Sequence, residues 1–386
     1  MWRLALAWFP FGCSGAPSVA EDLGVTGYLG ATVATETTVD GGVTTTTFDP
    51  ASGPRCMRGE PFRMATRDGA SDDLMIFLQG GGACWSAFCF AVTQAPVGMP
   101  AVDILRTDRP DNPVADWDVA YLPYCDGSLF AGDAEVDEDG DGGSDRWHRG
   151  LANLSAGLDV AKSTFARPKR VLLAGSSGGG FGTILAVSLV RHQWPDAEIL
   201  VLSDSGVGVA RGASDPGFLT TLIDEHGSGA FVPRDCPDCL AGGHITPLVA
   251  WWLGRDERTR VGVYSSWYDL IIGKVFLQVP AEQFQSDVEA QTTAVRDAFP
   301  DRYHRAIEDG VTHTALLGDP TGIIGSDLGA VEIPASALSA LTSLDLGGLA
   351  ETEVAGVAIG DWLSAWIEGT DPQDLVEPAG APPWSL

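Results

Sequence analysis

Beyond about residue 70, short apolar runs end in Gly or Asp and alternate with stretches of three- and four-residue apolar spacing. The runs are Leu74–Leu78, Asp118–Leu122, Val171–Ala174, Ile199–Leu202 and Val261–Tyr264. Continuous apolar runs closed by turn residues predict strands buried on both faces, as in a parallel sheet. Between them, Leu151, Leu154, Leu158, Ala161 and Phe165 share one helical face, as do Ile184, Leu185, Ser188 and Leu189 after the glycines at 178–180. Ala281–Phe299 is a longer amphipathic candidate. This alternation predicts an α/β fold, mostly parallel, with helices on both faces. Residues 21–55, rich in Thr, Gly and Val, predict edge strands or a hairpin. No repeat and no second boundary is visible. The expectation is one domain over 21–386, with 205–258 and 315–352 as cap-like insertions. Trp362, Leu363, Trp366 and Ile367 share one helical face and are assigned to the core.

Composition narrows the function. With 386 residues and 45% hydrophobic, the chain can bury a sizeable core. Its 52 acidic against 23 basic residues give a net charge of -29, which repels phosphate backbones and argues against nucleic-acid partners. No apolar run approaches the 18 or so residues of a spanning helix.

Residues 1–20 read as an export leader and tether: a minimal basic start at Arg3, the apolar run Leu4–Phe11, then Gly12-Cys13-Ser14. The Gly-Cys-Ser step resembles a bacterial lipobox, which makes Cys13 a candidate lipid anchor to a membrane; the alternative is cleavage after Ala20. The expected location is secreted or outer-surface. Six cysteines remain after either cleavage, and in an exported chain they predict three disulfides. Spacing favours Cys84–Cys89 and Cys236–Cys239, leaving Cys56 with Cys125. Zinc at Cys236 and Cys239 is disfavoured, because His226 and His244 do not stand at finger spacing.

The strongest chemical signal is Gly175-x-Ser177-x-Gly179, which follows an apolar strand and opens an apolar helix. That context makes it a nucleophile elbow: small neighbours permit the tight turn, and the serine sits at a helix N-terminus that favours an oxyanion. A phosphate loop of the Walker type would need a lysine that is absent there. In this fold the acid and then the histidine follow the serine. His313, in a turn after Asp309-Gly310, is the candidate base, and His304 is assigned a surface or half-buried place. Asp269, just past Arg260–Tyr268, is the candidate acid, with Asp256, Asp287 and Asp297 as alternatives. Gln79-Gly80-Gly81-Gly82 follows an earlier strand, so Gly81 and Gly82, with Gly178, are the candidate oxyanion donors.

Five stretches then carry a resemblance: Leu78–Trp85, Pro123–Gly127, Ala174–Gly179, Ser203–Gly206 and Trp267–Asp269 resemble the pectin acetylesterase/Notum family over roughly 56–320. The resemblance implies an α/β-hydrolase-like extracellular serine carboxylesterase with Ser177, Asp269 and His313 as its triad. It also matches Gly81 and Gly82 to the oxyanion loop and suits a Cys84–Cys89 clip. The expected substrate is an ester, with acetylated polysaccharide first and lipid-type or small-molecule acyl esters second. A non-catalytic binder on the same scaffold is the rival from another class. A monomer that needs no cofactor for chemistry is expected. Separately, Asp137, Asp139, Asp141 and Asp145 are spaced like the oxygens of a calcium loop, a candidate structural site, although His148 stands where Glu would close it.

Overall fold

The computed structural model describes residues 17–320, 328–338, 344–370 and 373–385; Cys13 lies outside them. The five apolar runs become strands, and five more, the last only two residues long, extend them into one ten-stranded sheet. In chain order its strands are β1 (Ala34–Asp40), β2 (Val43–Phe48), β3 (Arg63–Arg67), β4 (Leu74–Leu78), β5 (Asp118–Leu122), β6 (Arg170–Ser176), β7 (Glu198–Asp204), β8 (Thr259–Ser266), β9 (Tyr303–Glu308) and β10 (Leu375–Val376). Their spatial order is β1-β2-β3-β5-β4-β6-β7-β8-β9-β10. Pairing is parallel from β5 to β10 and antiparallel among β1, β2, β3 and β5. The Thr-rich start is the expected hairpin, β1 with β2.

The central strands are apolar throughout because both faces are covered. Leu74, Ile76 and Leu78 pack into one core with Val171 and Leu173; Met75 and Phe77 pack into a second with Leu172 and Ala174. Successive strand residues point to opposite faces, so one run feeds both cores. The first core takes helices α2 (Gly150–Thr164), α3 (Gly178–Gln193) and α6 (Ala281–Ala298). The second takes α7 (Ile359–Glu368), with Trp362, Leu363, Trp366 and Ile367 buried as expected. The 205–258 insertion carries α4 (Phe218–His226) and α5 (Thr246–Leu253). This is the mostly parallel α/β fold that the pattern predicts, with the α/β-hydrolase-like architecture that the resemblance implies.

A first short helix, α1 (Val19–Leu23), is capped by Ser18 with Glu21, and Ala20 is fully buried in the first core. The folded part therefore takes in the end of the stretch read as leader and tether. Disulfides join Cys56–Cys125, Cys84–Cys89 and Cys236–Cys239, the pairing that spacing favours. No helix among the described residues is long and apolar enough to cross a membrane.

Candidate active site

β6 delivers Ser177 to a turn that ordinary residues avoid. Ser177 has φ 57° and ψ -122°, its N–H donates to the Asp204 carbonyl at 2.8 Å, and α3 begins one residue later. A left-handed φ on a non-glycine residue is strained and persists only where the surroundings impose it. The flanking glycines explain how. A Cβ at Gly179 would stand 2.0 Å from the Leu78 carbonyl oxygen, and one at Gly175 would stand 2.4 Å from that of Gly179. Helix and sheet approach too closely for any side chain.

Asp269 lies three residues past β8 and is fully buried. Its Oδ1 accepts the N–H groups of Ile271 and Ile272, both at 2.9 Å, capping a wide helical turn over Leu270–Leu277. The same carboxylate meets His313 Nδ1 at 2.9 and 3.0 Å. Such a partner selects the tautomer with its proton on Nδ1 and leaves Nε2 as an acceptor. His313 Nε2 is buried and has no hydrogen-bond partner. The alternative acids are engaged elsewhere: Asp256 with Arg191 at 2.6 Å, Asp287 near His244 at 3.7 Å, and Asp297 near Arg296 at 3.8 Å. His304 is a correction. It lies buried in β9 at 7% exposure, in register beside Gly262 of β8 and with the charged groups of Asp374, Arg260 and Arg296 near it.

The glycine loop runs along the elbow. A Cβ at Gly80 would stand 3.0 Å from that of Ser177, and one at Gly178 would stand 2.8 Å from the Gly82 carbonyl oxygen. Gly82 has φ 88° and begins a ribbon, Gly82–Trp85 with Phe88–Val92, in which Cys84 and Cys89 sit opposite each other. Gly82 and Gly178 line one pocket with Ser177. Gly81 stands behind them, tight against the Tyr124 ring, with its carbonyl accepting the Val92 N–H.

That pocket encloses about 600 Å³ including its open mouth. Its walls are apolar: Trp85 from the ribbon, Phe218 and Leu222 from α4, and Ile272 and Phe276 from the turn after Asp269. The 205–258 insertion thus covers the site as a cap. Sequence reasoning named none of these wall residues. It gave no role to Asp204, inside the Ser203–Gly206 stretch and fully buried at the end of β7. Burial pushes this carboxyl up to about 7, against hydrogen bonds from Ser176 and the Ala315 and Leu316 N–H groups and against the nearby His313.

The acidic loop departs from the calcium-loop expectation. Oxygens of Asp137, Asp139 and Asp145 gather within 4.8 Å of one another, but Asp141 does not belong to that group. Its Oδ1 accepts the Gly143 N–H instead. His148 turns inward, with Nδ1 2.9 Å from the Asp126 carbonyl oxygen, so the closing position supplies no ligand.

A family model described as pectinacetylesterase matches residues 40–237. The chain is similar to pectin acetylesterase 4 of Arabidopsis thaliana, 28% identical over 148 residues that make up 35% of this chain and 36% of that protein. It is similar to palmitoleoyl-protein carboxylesterase notum1' of Xenopus laevis, 27% identical over 157 residues, 34% of this chain and 30% of that protein. The matches thus span about a third of each relative's length. The family match contains the glycine loop and the serine elbow but ends before Asp269 and His313, so the acid and base rest on geometry. As residues 40–237 are 198 of the 386, just over half, the chain belongs to the pectinacetylesterase family.

Proposed function

We propose that the protein is a serine carboxylesterase that works through an acyl-enzyme. The observation that carries this reading is the buried Asp269–His313 pair, whose free Nε2 lies in a loop tied to the strand beside the elbow. Ser177 Oγ attacks the ester carbonyl carbon, and its proton passes to His313 Nε2. Backbone N–H groups of Gly82 and Gly178, which line the pocket with Ser177, hold the oxyanion. The imidazolium then gives its proton to the departing alkoxide, leaving an acyl-Ser177 ester. Water attacks that ester, passes a proton to His313, and the carboxylic acid leaves as the proton returns to Ser177. No cofactor enters these steps.

The similarity to pectin acetylesterase 4 supports acetyl esters of polysaccharide as the substrate. The apolar walls beside Ser177 favour a second reading, a longer aliphatic acyl group, because burying each CH₂ contributes about 0.8 kcal/mol. Three disulfides support an extracellular or outer-surface location. A fluorophosphonate probe should label the wild type, and Ser177→Ala should abolish the label. Label that persists in the variant, or that maps to Ser176, removes the assignment. Acetyl, butyryl and octanoyl nitrophenyl esters, beside acetylated polysaccharide, decide the acyl class: kcat/KM rising with chain length favours the second reading.

A further inference from the structure

We propose that Asp204 is a positioning residue, a second buried carboxyl group that locks the His313 loop to the nucleophile elbow. This rests on the esterase reading above. Asp204 ends β7, which lies in register beside Ser176 of β6 and Tyr264 of β8. Its Oδ2 accepts the Ser176 hydroxyl at 2.6 Å, one residue before the nucleophile. Its Oδ1 accepts the Ala315 N–H at 3.0 Å and its Oδ2 the Leu316 N–H at 3.3 Å, just after the base. The Asp204 main-chain carbonyl holds the Ser177 N–H, and the Ser205 hydroxyl donates to the carbonyl of His313 itself. Ser205 reaches it from a left-handed turn, φ 59°. One two-residue corner therefore grips the nucleophile on one side and the base on the other.

Among the described residues no lysine or arginine pairs with Asp204, and an uncompensated buried carboxylate is costly. The titratable groups around it are Tyr264 from β8 and His313, with Glu308 beside Tyr264. With its carboxyl pushed up to about 7, Asp204 acts through its hydrogen bonds, which join the loop after His313 to the strand that ends at Ser176.

The test compares Asp204→Asn, which keeps the shape but turns one acceptor oxygen into an NH₂ that faces a donor, with Ser176→Ala, which removes one contact. On a nitrophenyl ester, Asp204→Asn should lower kcat on the order of 100-fold with KM little changed, the cost of a misaligned catalytic group. Ser176→Ala should lower kcat a few-fold, with KM little changed. A folded Asp204→Asn with wild-type kcat, or with only KM raised, overturns the proposal and leaves the esterase reading standing. If Asp204→Asn does not fold, Ser176→Ala decides: unchanged kcat there overturns the brace. Wild-type protein that neither labels at Ser177 nor turns over esters removes the esterase reading itself.

Discussion

At the scale of single residues, the site depends on atoms that carry several hydrogen bonds at once. Asp269 Oδ1 serves two main-chain N–H groups and also lies 3.0 Å from His313 Nδ1. An amide cannot do all of this, because its NH₂ end would face the Nδ1 proton. Asp269→Asn should therefore favour the wrong tautomer and lower kcat by about 10³- to 10⁴-fold, with the fold retained. Steady-state kinetics beside circular dichroism check this. A loss under tenfold would place the acid elsewhere, and Asp204 is the carboxylate nearest in the chain of contacts.

At the scale of elements, the packing behind the glycine ribbon sets an acid response. His226 of α4 lies 2.9 Å by Nε2 from the Cys84 carbonyl oxygen, and its ring is 4.8 Å from that of His148. Burial pushes His226 down to about 4, and burial with the His226 ring beside it pushes His148 down to about 3, from an ordinary 6.5. Between pH 6.5 and these values the unfolded chain binds protons that the folded chain refuses, so stability contributed by the pair falls as pH falls. Asp126 acts in the opposite sense. Burial pushes it up to about 6 from 3.8, so in that window the folded chain holds a proton the unfolded one has lost. Replacing His226 by Gln removes one of the destabilising uptakes. The variant should lose less stability than the wild type between pH 6.5 and 4.5, read from urea midpoints at each pH. Equal losses would mean that His226 titrates alike in both states.

At the scale of the whole molecule, the net charge of -29 acts on whatever approaches. Neutral esters feel none of it, whereas an acidic acetylated polysaccharide is repelled on encounter. The kcat/KM for an anionic polymer should rise as salt goes from about 0.01 to 0.15 M, where the screening length shrinks from about 30 to 8 Å. For a small neutral nitrophenyl ester it should stay within about twofold over that range. A polymer rate that falls with salt would point to a local basic contact that outweighs the global field.

Much of this protein is written in local sequence. The five apolar runs mark the central strands because residues buried on both faces leave no alternation to misread. The serine elbow is legible because its close backbone approaches exclude all side chains at Gly175 and Gly179. Cys84 with Cys89 and Cys236 with Cys239 are legible because short spacing leaves few partners. Chain order after the elbow was enough to bring Asp269 and His313 together. Only the tertiary structure showed that Ala20 is core, that His304 is buried, and that the Asp141 carboxylate lies outside the group formed by Asp137, Asp139 and Asp145. The same holds for Asp204 and the pocket walls. Asp204 meets Ala315 across 111 positions, and the walls come from three separate segments. A hydrogen bond across that separation has no periodicity or spacing to betray it. It exists because parallel strands bring their C-terminal ends to one edge of the sheet, and loops far apart in the chain meet there.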